Sequence, residues 1–176
     1  MGVIIADTLI ALLIITFLAI LINGIEDYNE KNRLNKESFA NTSGEMKFPI
    51  ITFSNNNRLF NFLIDTGASY SVIDSAILDE FDYKVIEDAK GTTYGIDGNL
   101  VNVSYILANL KLGNNEFKEA FQVMRVPAFD NLKEKNNIII VGILGSVFLD
   151  RYNFMVDFSD YNLVYPTPKK KKESSK

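Results

Sequence analysis

From residue 46 onward the chain is a succession of short runs in which apolar and polar positions alternate, each closed by Asn, Gly, Asp or Pro. Alternation with a period of two puts every second side chain on one face, the mark of a half-buried strand. Lys47 to Ser54 and Arg58 to Ile64 read as two strands joined through Asn55, Asn56 and Asn57, a hairpin signal. Ser71 to Phe81 leads away from the second strand and ends in a short helical piece at Ser75 to Phe81. Tyr83 to Glu87 is a further strand, and Lys90 to Leu107 carries Asp97-Gly98 between β-formers, a two-residue hairpin signal. Leu110 to Phe117 turns back at Gly113-Asn114-Asn115, and Phe121 to Val126 is again strand-like. Pro127 to Asn137 is polar and reads as an irregular connection with at most one helical turn. Ile138 to Leu149 is an apolar run that periodicity alone reads as a buried strand. Asn153 to Phe158 and Tyr161 to Tyr165 close the pattern, with Ser159 and Asp160 in the turn between them. Many short strands with regularly spaced turn signals predict an all-β barrel or sandwich.

The amino terminus follows a different pattern. Val3 to Ile25 is apolar on all sides, with Asp7 near its start. About 20 helical residues cross a hydrocarbon core, so this run is long enough if Asp7 sits at an interface. A secretory signal is disfavoured, since no basic residue precedes the run and no small-x-small site follows it. Position 6 is Ala, which excludes a myristoylation signal at Met1-Gly2. The expectation is a single-pass transmembrane anchor at 1–25, a partner of the lipid bilayer through residues 3–25. Lys31, Arg33 and Lys36 follow it and no basic residue precedes it, which favours the cytoplasmic side for the folded domain. Residues 26–45 are polar and read as a linker, residues 46–168 as the folded domain, and residues 169–176 as a basic disordered tail. That tail's lysines could also touch anionic lipid.

Composition narrows the chemistry. The 176 residues suffice for one domain with a real core. There is no Cys and no His, so disulfides, thiolate nucleophiles, His-based triads and His metal sites are excluded. A net charge of −4 argues against a nucleic-acid surface.

Phe62 to Asp74 reads Phe-Leu-Ile-Asp-Thr-Gly-Ala-Ser-Tyr-Ser-Val-Ile-Asp. An apolar strand delivers Asp65 onto a tight turn; Gly67 permits close backbone approach, and Ala68 and Ser69 keep the surroundings open. By itself the triplet is also an ordinary strand end, because Asp and Gly favour turns. With its flanks, the segment resembles the active-site turn of retroviral-type (retropepsin-like) aspartic proteases. The resemblance covers about residues 46 to 166. It implies a retropepsin-like acid-protease barrel with one short helix, whose halves are related by a pseudo-twofold axis. Ile143, Leu144 and Gly145 would form the pseudo-symmetric turn, and Ser146 to Arg151 the short helix. Tyr94, Gly95, Ile96, Asp97 and Gly98 resemble the flap that folds over bound peptide.

The resemblance implies an aspartic endopeptidase that needs no metal and no organic cofactor; with the expected anchor at 1–25 it reads as membrane-anchored. Only one Asp-Thr-Gly is present, so a complete site would need a homodimer in which each subunit supplies Asp65. Thr66 would lock the two turns together, Gly67 and Ala68 would line the cleft, and the Ser69 hydroxyl would support the carboxylate. The partner is a protein or peptide substrate. Asp74, Asp79 and Asp82 are assigned to the surface. The alternative is a non-catalytic module of the same fold that binds extended peptides at the membrane. A structural membrane protein would account for the anchor but not for the turn.

Overall fold

The computed structural model describes residues 15–26, 33–40, 48–94 and 100–167. Residues 15–26 form helix α1. The strands that follow are β1 (Leu34–Ser38), β2 (Ile50–Asn55), β3 (Arg58–Ile64), β4 (Val72–Asp74), β5 (Lys84–Tyr94), β6 (Leu100–Leu112) and β7 (Asn115–Met124). A 3₁₀ turn, Ser75–Glu80, lies between β4 and β5. Helix α2 (Pro127–Asn136), β8 (Gly142–Leu144), α3 (Ser146–Arg151), β9 (Met155–Asp157) and β10 (Asn162–Pro166) complete the chain.

Seven strands pair in the order β2-β3-β8-β4-β7-β6-β5, and a further β2–β6 contact closes the sheet into a barrel. That closing contact sets Ser54 opposite Lys111. The β2–β3 hairpin turns on Asn56 and Asn57, both at positive φ (47° and 64°), the backbone that a two-residue hairpin between twisted strands requires. Asn55 ends β2 with its side chain buried. Its amide nitrogen donates to the carbonyls of Asp82 (2.9 Å) and Asn109 (3.0 Å), and its oxygen accepts from the Asp82 N–H at 2.7 Å. One side chain thus pins the barrel seam.

The core follows from the alternation. In β3, Phe60, Phe62 and Ile64 are buried while Arg58 and Leu59 are exposed. Phe53, Phe62, Phe117, Phe121 and Phe148 are fully buried. Edge-to-face pairs such as Phe53–Phe62 (5.9 Å) and a stacked Phe62–Phe121 pair (5.7 Å) fill the barrel. A second apolar group, centred on Ile50, Val126, Phe129, Ile138 and Ile140, packs α2 against the opposite face of the strands, touching Leu63, Val72 and Ile143.

Four expectations change. The polar segment 26–45 is not a linker throughout, and the folded unit does not begin at 46: β1 pairs along its whole length with β10, from Leu34 opposite Pro166 to Ser38 opposite Asn162. Its polar side chains hid it, because the strand is held by backbone pairing and by bonds such as Ser38 Oγ to Asn162 (3.0 Å). Phe39, next in the chain, is buried. Pro127 to Asn136 is a helix rather than an irregular connection. Pro opens it, Asn137 closes it in the left-handed conformation (φ 55°), and only Phe129 is buried, so its apolar stripe is thin. The fold therefore holds more than one short helix. Asp74 is buried rather than on the surface; Asp79 and Asp82 are exposed.

Residues 15–26 are helical and exposed on every side, including Ile15, Phe17, Leu18 and Ile20. Among the described residues no helix is long and apolar enough to cross a membrane. Residues 1–14 of the expected anchor and all of the expected tail, 169–176, lie outside the described residues.

Candidate active site

β3 and β8 run parallel, with Leu63 opposite Ile143 and Ile64 opposite Leu144. Each strand ends in a turn, so Asp65 and Gly145 emerge side by side. The Asp65 N–H donates to the Leu144 carbonyl at 3.1 Å, and the Ala68 N–H to the Asp65 carbonyl at 3.2 Å. The Asp65 carboxylate accepts from the Gly67 N–H at 2.9 Å. Asp65 is half-buried, whereas Thr66, Gly67, Ser69 and Tyr70 are exposed and Ala68 is partly covered. A carboxylate thus sits on a turn with open space on one side and a packed barrel on the other.

The second turn grips the first. The N–H groups of Ser146 and Val147 donate to the carbonyls of Ala68 (2.8 Å) and Ser69 (3.1 Å). Gly145 lies so close that a Cβ there would meet Tyr70 backbone atoms at 2.7 and 2.8 Å and the Ala68 carbonyl oxygen at 2.9 Å. Only glycine permits that approach. Ser69 holds α3 through its carbonyl, and the bond to the carboxylate comes from Gly67.

Behind the turns lies a polar group that periodicity alone did not single out. Ser71 Oγ accepts from the Gly145 N–H at 3.2 Å. The Ser71 hydroxyl bonds in turn to Glu119, which also accepts from Arg151 Nη1 at 2.6 Å. Burial raises the Glu119 carboxyl above its ordinary value; Ser71, Arg151 and the Ala120 N–H act against that rise. The signal was present in β7, where Glu119 occupies an inward register position between Phe117 and Phe121. On the other flank, buried Asp74 caps the 3₁₀ turn by accepting from the Ala76 N–H (3.1 Å) and pairs with Arg125 at 2.5 Å. Arg125 also bonds Asp130 of α2.

The expected flap is paired as far as Tyr94 opposite Leu100. Gly95, Ile96, Asp97 and Gly98 lie outside the described residues. Among the described residues no group of three or more acidic side chains could hold a metal ion.

The aspartyl protease family model matches residues 51–148, more than half of the chain, and the chain belongs to that family. Among solved structures it is similar to the retroviral protease-like domain of Ddi1 from Leishmania major, at 14% identity over 73% of this chain and 99% of that one, with a TM-score of 0.48. It is also similar to a retropepsin-like aspartic protease from Rickettsia conorii, at 18% identity over 76% of this chain and 91% of that one, with a TM-score of 0.45. A comparison with curated proteins finds no match.

Proposed function

We propose that the protein is a membrane-anchored aspartic endopeptidase that works as a homodimer, with one Asp65 from each subunit. The observation that carries this reading is the exposed Asp65 turn beside a matching turn, Ile143-Leu144-Gly145, that has no carboxylate of its own. A single carboxylate cannot serve as both general base and general acid in one step, so the second must come from another copy.

In that dimer the two carboxylates, about 3 Å apart, share one proton because both cannot ionise. The ionised one takes a proton from water as the water attacks the scissile carbonyl. The protonated one donates to the carbonyl oxygen, giving a neutral tetrahedral diol. The carboxyl that took the water proton then passes it to the leaving nitrogen while the other carboxylate takes a proton from a diol hydroxyl, and the C–N bond breaks to give acid and amine. Thr66, exposed beside Asp65, would join the two turns across the dimer, while Gly67 and Ala68 leave room for the substrate backbone. Residues 94–98 would cover an extended peptide bound as an added strand. The anchor reading is supported by the apolar residues exposed all round α1, and tethering raises the effective concentration for pairing. Lys31, Arg33 and Lys36 favour the cytoplasmic side for the folded domain.

The test is digestion of an unfolded protein library by the full-length chain in detergent micelles, beside Asp65→Asn, from acidic to neutral pH. Removing residues 1–44 is unsuitable, since β1 would go with them. The reading expects peptide cleavage by the native chain and none by a folded Asp65→Asn. Equal cleavage by both would overturn it.

A further inference from the structure

We propose that Glu119 is a positioning residue for the Asp65 turn: its buried carboxylate orients the Ser71 hydroxyl, which holds the Gly145 N–H and so sets the spacing of the two turns. The proposal rests on the protease reading above and adds a residue to its machinery.

The direction of each bond is fixed by what the groups can do. Gly145 N–H can only donate, so at 3.2 Å it occupies a lone pair of Ser71 Oγ. The single hydroxyl hydrogen of Ser71 is then left for an acceptor, and the Glu119 carboxylate accepts it. Arg151, at the end of α3, donates to the same carboxylate at 2.6 Å. The chain runs Arg151 to Glu119, and Gly145 to Ser71 to Glu119, with every member bonded. Charge on Glu119 polarises the serine oxygen and strengthens its hold on Gly145.

Two observations tie this chain to Asp65. The Gly145 backbone lies against Tyr70 and Ala68 with no room for a Cβ, so moving Gly145 moves the residues that follow Asp65-Thr66-Gly67. Ser146 and Val147, next to Gly145, bond to the carbonyls of Ala68 and Ser69. A charged residue at position 119 is also not what stability alone would favour. An apolar pair of similar volume generally serves a core as well as a buried ion pair. Glu119 nonetheless lies between Phe117 and Phe121 on the inward face of β7, with its side chain 3% exposed.

The experiment compares Glu119→Gln, Ser71→Ala and the double variant in the full-length chain. It measures kcat and KM on a peptide whose cleavage depends on Asp65, together with hydrogen exchange at the Gly145 N–H. Each single change is expected to lower kcat on the order of tenfold, with KM within about twofold, because displaced reacting groups cost rate more than binding. The double variant should lose no more than either single one, since Glu119 acts through Ser71. Gly145 should exchange faster in all three. Unchanged kcat and unchanged Gly145 exchange in Glu119→Gln would overturn the proposal, as would losses that multiply in the double variant. Should Glu119→Gln fail to fold, Glu119→Asp draws the charge back from Ser71 and is measured the same way. If the native chain cleaves no peptide, the protease reading fails, and Gly145 exchange still decides whether Glu119 holds the turn.

Discussion

The Asp65 N–H donates to the Leu144 carbonyl at 3.1 Å, so the residue that carries the acid is hydrogen-bonded to the turn that lacks one. The two turns are bonded to each other at the ends of adjacent parallel strands. Whatever faces the Asp65 side chain must approach from the open side, where Thr66, Gly67 and Ser69 are exposed.

Gly145→Ala tests that contact. Its Cβ would fall within 2.9 Å of three backbone atoms, which cannot rotate away as a side chain could. The expected cost is about 1–3 kcal/mol, seen as a lower urea midpoint, together with loss of any Asp65-dependent cleavage. An unchanged midpoint would show that the turns separate freely.

Asn55→Ala should weaken the barrel seam. It strips partners from the Asp82 N–H and from the carbonyls of Asp82 and Asn109. A loss of about 2–3 kcal/mol is expected by chemical denaturation. A loss below the error of that measurement would mean that water replaces the side chain.

Arg125→Met removes the partner of buried Asp74. Breaking a fully buried pair costs about 3–5 kcal/mol, but Arg125 is 43% exposed, so about 1–3 kcal/mol is expected. Asp74→Asn should cost less, because its side-chain oxygen can still cap Ala76. Thermal unfolding of both variants checks the order, and the reverse order would refute the assignment.

Glu119 gives stability a pH dependence of known sign. Burial holds its carboxyl above the ordinary value of 4.5 in the folded chain. Between those two values the folded chain keeps a proton that the unfolded chain has lost. Its contribution is therefore full at acid pH and declines as pH rises through the raised value. The Tm of the native chain relative to Glu119→Gln should fall as pH rises above the ordinary value of 4.5. A relative Tm that climbs over that range would contradict the direction.

Much of this was legible because strand alternation is local. Arg58 to Ile64 read as a strand from its residue types, and Asp65-Thr66-Gly67 followed at its apolar end. Asn56 and Asn57 announced their turn by residue type. What escaped depended on partners distant in sequence. β1 is polar and forms only because β10 supplies backbone groups more than a hundred residues later. Asp74 looked like a surface acid until Arg125 reached it. Glu119 was visible as a charge in an apolar register, but its role depends on Ser71 and Arg151, which only the fold brings to it.

Subunit mixing tests the central claim most directly. Native and Asp65→Asn chains are co-folded in equal amounts, well above the dimerisation range, and cleavage is compared with the same total of native chain. If each site needs an Asp65 from both copies, random pairing leaves about a quarter of the native activity. Retention of about half would show that each chain works alone, and would contradict the shared site.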